Sequence, residues 1–321
     1  MDPSLLIGAF ARTRRAIGYL GFKNARFGKI DAHIATCAFA RDVLERTVHL
    51  AEDRGFKLIH AIVDSIWVKK AGATADTFRA LAREIEQALQ LSITFEGRYK
   101  WIVFLPSRTR RSLPVLNRYY GLFEDDRIKA RGLEVRRRDT PELVKRCQAE
   151  MLRKLAEASS EEEFHTKMPE ALNILRSYIQ VVRSGRAKLT DLIMYKRLSK
   201  PLAEYRQHVA QFSAARQLWR EGAEVHEGER VGFLFVHASN AIPGARVLAE
   251  ELVKPWSRYD REEYVKLLLR SAANLLSPFY PCERNLRELL IQGNQIHLLH
   301  SQEFLQRAIQ DAQSSNIAGH T

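Results

Sequence analysis

Residues 56–68 constrain the fold more than any other stretch of this chain. Phe56-Lys57-Leu58-Ile59-His60-Ala61-Ile62-Val63 is rich in apolar and β-branched side chains, Asp64-Ser65 is good turn chemistry, and Ile66-Trp67-Val68 resumes the apolar run. The pattern predicts two short strands around a tight polar turn. A helix is expected on each side. Over Lys29–Asp53, Ile30, Ile34, Cys37, Ala38, Leu44 and Val48 recur at helical spacing before Gly55. Over Thr74–Gln90, Thr77, Leu81, Ile85 and Leu89 mark one face. A further β-rich stretch, Ser92–Leu105, carries a turn at Glu96-Gly97, and Asn117–Phe123 and Arg127–Val135 read as a hairpin across Glu124-Asp125-Asp126. Helices alternating with antiparallel hairpins make an α+β pattern.

From Thr140 the character changes. Thr140-Pro141-Glu142 starts a helix reaching about Ala158, with proline in its first turn. Ser159-Ser160-Glu161 starts another that runs to Ser184, and Gly185 stops it. Pro201–Glu221, Asp260–Leu276 and Ser301–Ser314 are read as helical too. The expectation is an antiparallel sheet with flanking helices, followed by a mainly helical domain, with a boundary near residues 139–141. A length of 321 residues suits two such units. No apolar run approaches the ~20 residues that cross a bilayer, and the start does not read as a secretory signal. Cys37, Cys147 and Cys282 are far apart and unpaired in pattern, as in a reducing cytosol, so a cytoplasmic location is expected.

Charge narrows the function. Lys plus Arg is 51 against 38 Asp plus Glu, a net +13. Such a balance attracts a polyanion, nucleic acid first and an anionic membrane second. Three segments could carry chemistry. Asp64, at the tip of an apolar hairpin, is placed as a divalent-metal ligand would be, although a turn aspartate reads the same way. Arg131-Gly132-Leu133-Glu134-Val135-Arg136-Arg137-Arg138-Asp139, with Arg108, Arg110, Arg111 and Arg118 upstream and Tyr99, Trp101, Tyr119 and Tyr120 interleaved, fits a grip on a sugar–phosphate backbone. A solvated charge run is the plainer alternative. Gly18-Tyr19-Leu20-Gly21 through Gly28 implies close backbone approach, and matches neither dinucleotide nor phosphate-loop spacing.

Taken together, these segments resemble the carboxy-terminal part of a family B DNA polymerase, with most similarity to a divergent second archaeal subfamily that has bacterial relatives. Gly18 to Gly28 resembles the end of the fingers motif, Y-L-G-Y-K-N-A-R-F-G. His60–Trp67 resembles the palm hairpin in the altered form H-A-I-V-D-S-L-W. Arg118-Tyr119 and Gly121 are similar to K-K-R-Y-x-G, and Gly132-Leu133-Glu134 with Arg137-Arg138-Asp139 to G-L-E-x-V-R-R-D. Leu198-Ser199-Lys200-Pro201-Leu202-Ala203-Glu204-Tyr205 resembles the thumb's L-S-K-x-L-x-E-Y, and Tyr259-Asp260 with Tyr264 its later Y-D-x-x-Y-Y.

The resemblance implies a fingers remnant over residues 1–28, a palm over 29–139 and a thumb over 140–321. It implies template-directed nucleotidyl transfer, primer–template DNA and deoxynucleoside triphosphates as partners, and Mg²⁺ as cofactor. Asp64 would be the catalytic metal ligand, with Gly18, Tyr19 and Ser65 near the nucleotide. Arg118, Tyr119, Arg131, Arg137, Arg138, Lys200 and Tyr205 would hold DNA. The departures matter equally. Ile62 stands where the motif has its first aspartate, Phe10 and Arg14 fall where the fingers lysine and asparagine belong, and the upstream D-x-x-S-L-Y-P-S is missing. One carboxylate does not fix two Mg²⁺ ions. The expectation is a chain inactive alone, completed by a second polymerase chain carrying the upstream palm and exonuclease parts. The alternative is a noncatalytic DNA-binding subunit or an inactive remnant.

Overall fold

The computed structural model describes residues 7–8, 20–22, 26, 28–62, 64–107, 110, 113–279 and 286. Gly18, Tyr19, Phe10, Arg14 and the helix expected over Ser301–Ser314 lie outside them. The chain divides into two compact units, one of Met1–Phe104, Leu113–Arg131 and Ser159–Glu161, the other of Leu105–Ser112, Gly132–Ala158 and Glu162–Thr321. Mixed helices and antiparallel sheets give the α+β architecture expected from the sequence.

In the first unit, β1 (Ile7–Gly8), β2 (Lys57–Ile62) and β3 (Ser65–Lys69) form an antiparallel sheet in the order β1-β3-β2. Ile62 pairs with Ser65 and Ala61 with Ile66, so the strands close directly around Asp64. Helix α1 (Ile30–Asp53) enters the core through Thr47 and Ala51. Helix α2 (Ala75–Leu89) starts at Thr74, whose hydroxyl accepts from the Thr77 N–H while the Thr77 hydroxyl accepts from the Thr74 N–H. Its Phe78, Leu81, Ala82 and Ile85 are buried. They pack with Ile66, Trp67, Val68 and Tyr99 in one apolar cluster. Burying such large side chains, worth about 1.5–3 kcal/mol each, is what holds the hairpin down.

A second sheet takes β4 (Tyr99–Pro106), β5 (Pro114–Phe123) and β6 (Ile128–Arg131) in that order. The β5–β6 turn closes with Asp126 at φ 63°, a left-handed value aspartate tolerates, and Asp125 caps it by accepting from the Arg127 guanidinium at 2.7 Å. The sequence pattern predicts strand continuing to Val135. Instead Gly132 turns at φ 67°, and Glu134–Arg136 form a single 3-10 turn, so the ladder stops at Arg131.

In the second unit, α3 (Glu142–Leu155) follows Pro141, α4 (Glu161–Arg183) follows, and short α5 (Leu189–Leu192) leads into a small sheet of β7 (Met194–Arg197), β8 (Arg230–Phe235) and β9 (Val247–Ala249). Helix α6 (Ala210–Arg220) covers that sheet through Ala214, Ala215 and Leu218, which cluster with Val231, Phe233 and Ala249. Helix α7 (Arg261–Leu275) is capped by Asp260, whose carboxylate accepts from the Glu263 N–H at 3.0 Å. Pro201–Glu221 is therefore not one helix. A 3-10 turn at Leu202–Glu204 and extended backbone precede α6, consistent with Pro201 and the polar stretch after it.

Candidate nucleic-acid interface

Asp64 sits in the β2–β3 turn with its amide donating to the Ile62 carbonyl at 2.6 Å. Its side chain is shielded, at 6 % exposure, and its Oδ1 accepts from the Ser65 hydroxyl at 3.2 Å. Behind the turn, the His60 ring packs at 4.7 Å on Trp67 and 5.1 Å on Phe104. Burial in that aromatic cage pushes the His60 imidazole below its ordinary pKa, opposed by a hydrogen bond with the Leu116 backbone.

Beside the turn opens a polar cavity of about 170 Å³. Its walls follow the period-two faces of three strands: Ser65 and Trp67 from β3, Asn117 and Tyr119 from β5, Lys129 and Arg131 from β6, with Ile62 completing the rim. Register explains the convergence, since Tyr119 pairs with Arg131 and Gly121 with Lys129. The Tyr119 ring is buried, edge-on to Trp67 at 5.5 Å. Lys129 is half-withdrawn from solvent and donates to both Glu96 oxygens, at 2.5 and 2.6 Å. Burial lowers the Lys129 pKa, and the Glu96 partner raises it in opposition. Arg131 stays exposed. Neither Lys129 nor Asn117 stands out in the sequence as a site residue. The alternation of Asn117 with Tyr119 and of Lys129 with Arg131 is the signal that finds them.

The remaining sequence-derived residues belong to other places. Arg118 points to the opposite face of β5 from Tyr119 by the alternation of the strand. Arg137 holds Asp139 through two bonds at 2.9 and 2.8 Å, which raises the arginine pKa and lowers that of the carboxyl. Arg138 is exposed. Lys200 lies 5.2 Å over the Tyr205 ring, whose hydroxyl accepts from the Ser199 N–H at 2.9 Å and whose ring stacks on Phe212 at 5.1 Å. The segment Leu198–Tyr205 is thus folded on itself around Tyr205. Among the described residues no three His, Cys, Asp or Glu side chains are grouped to hold a metal. Among them, too, no helix is long and apolar enough to cross a membrane.

The family pattern described as DNA polymerase family B matches residues 18–279. The chain belongs to family B of the DNA polymerases. A DNA polymerase of Archaeoglobus fulgidus is 29% identical over 242 residues, covering 75% of this chain and 29% of that protein. A DNA polymerase of Methanocaldococcus jannaschii is 30% identical over 259 residues, covering 78% of this chain and 15% of that protein. The solved family B DNA polymerase of Pyrobaculum calidifontis superimposes with a TM-score of 0.52 at 27% identity, over 81% of this chain and 31% of that one. The family B region here therefore spans under a third of the length of these relatives.

Proposed function

We propose that this chain is the DNA-holding palm and thumb portion of a family B DNA-directed DNA polymerase, with Asp64 as a catalytic carboxylate. The observation that carries the reading is the turn aspartate fixed beside a cavity walled by Lys129, Arg131, Asn117 and Ser65. A carboxylate in a rigid strand turn fits one ligand of a Mg²⁺ ion that also binds substrate phosphates. Bound there, Mg²⁺ would neutralise charge on the phosphates during nucleotidyl transfer. Asp64 would orient the ion, and the Ser65 hydroxyl would hold the carboxylate rotamer. Arg131 would bind the primer phosphate without reading sequence. Arg118, Tyr119, Arg137, Arg138, Lys200 and Tyr205 would also contact the DNA backbone, and Gly18 and Tyr19 would contact the nucleotide. A second chain, carrying the upstream palm, would supply the other carboxylate.

The test is primer extension with Mg²⁺ by the chain mixed with an upstream-palm polypeptide. Extension by the mixture, absent from either part and abolished by Asp64→Asn, is expected. Extension that survives Asp64→Asn would overturn the metal assignment. A second reading, duplex binding without chemistry, is favoured by Ile62, which puts an alkyl chain where the motif carries an aspartate. Salt-sensitive binding with no extension in any mixture would select it.

A further inference from the structure

Behind the arginine run Arg136–Arg138 lies a buried amide whose every polar atom is used. Gln148 on α3 is 1 % exposed. Its Oε1 accepts from the Val135 N–H at 2.7 Å. Its Nε2 donates to the Glu134 carboxylate at 2.9 Å and to the Ser271 carbonyl on α7 at 2.9 Å. Asn274, one turn further along α7, donates to the other Glu134 oxygen. Only one amide orientation works. The reversed one would set its NH₂ against the Val135 N–H and its oxygen against a carbonyl and a carboxylate.

The segment so held is short. Leu133 is buried, Arg136 N–H donates to the Leu133 carbonyl at 3.1 Å, and Arg137 N–H to the Glu134 carbonyl at 3.0 Å. Arg136, Arg137 and Arg138 then emerge exposed. We infer that Gln148 is a positioning residue for DNA binding: by clamping Glu134 and Val135 to α3 and α7, it fixes the spacing at which Arg136–Arg138 meet phosphates. Arginines on a pre-ordered backbone bind with a smaller ordering cost, because only their side chains remain to be fixed at the moment of contact. The inference rests on the DNA-holding reading above.

The test is duplex affinity by fluorescence anisotropy as a function of salt, with thermal stability measured alongside and binding read well below the melting transition. Gln148→Met keeps the volume and loses all three hydrogen bonds. It should weaken binding about tenfold on every duplex sequence, and flatten the salt dependence by about one phosphate contact, a slope change of ~0.9. Gln148→Met with a lower melting temperature but unchanged affinity and slope would overturn the inference, leaving Gln148 a stability residue. If Gln148→Met does not fold, Asn274→Ala takes its place, with a smaller loss expected and an unchanged slope overturning the inference. Wild-type chain that fails to bind duplex DNA would instead sink the DNA-holding reading itself.

Discussion

Gly121→Ala is a substitution whose cost follows directly from the packing around β5. Gly121 lies on β5, and a Cβ built there would meet the Trp101 carbonyl oxygen at 2.8 Å and two Tyr99 ring carbons at 2.8 Å. Real contacts of this kind need several tenths of an ångström more. Neither neighbour can retreat cheaply. The Trp101 oxygen is backbone of the adjoining strand, and Tyr99 is fully buried with its ring stacked 4.0 Å from Phe123. Overpacking of a tight core costs about 1–3 kcal/mol, and two immovable neighbours place this case at about 2–3. At roughly 2–4 °C per kcal/mol for a protein region of this size, the melting temperature should fall about 4–12 °C. Differential scanning fluorimetry reads it directly, with Gly244→Ala as control, because a Cβ there meets nothing within 4 Å. The control should shift by less than about 0.5 kcal/mol. Gly121→Ala melting within a degree of wild type would refute the steric argument.

Two further outcomes follow from the same unit. His60 has its folded pKa depressed by burial, so its contribution to stability is complete above its unfolded pKa, near ~6.5, and is lost as pH falls through the folded value. Between pH 7.5 and 5.5 the wild type should therefore lose more melting temperature than His60→Phe, and equal losses in calorimetry would contradict the assignment. Glu96→Gln leaves the partly buried Lys129 ammonium without its carboxylate. Urea unfolding should show a loss of about 1–3 kcal/mol, largely relieved when Lys129→Met is added, and simple additivity of the two changes would rule out a coupled pair.

Local chemistry made much of this legible. The hairpin around Asp64 follows from an apolar run broken by two turn residues, and α2 from the spacing of Leu81 and Ile85 after a Thr74 cap. The early end of β6 was missed because Gly132, one residue inside a strand-like pattern, decides the backbone there. The sheet of β7, β8 and β9 was missed for a different reason. Its strands are three to six residues long and separated by more than thirty residues between Met194–Arg197 and Arg230–Phe235, so no local period announces their pairing. Asp64 and the arginines stand out in the sequence as candidates. The cavity beside the turn could not, because it depends on Tyr119 standing opposite Arg131, a register that only the folded sheet sets. The Gln148 clamp was invisible for the same reason: its partners are 13, 14 and 123 residues away.

The strand that follows Asp64 is the middle one of its sheet. Ser65 faces Ile62 on one side and Gly8 on the other, and Ile66 faces Ala61 and Ile7. A synthetic peptide spanning only Lys57–Lys69 would keep the turn but forfeit the third strand, and two-stranded ribbons of that size are marginal in water. The aspartate's placement is thus not portable: excised with its hairpin, the same carboxylate would sit on a fraying turn and be a misleading stand-in for the one in the intact chain.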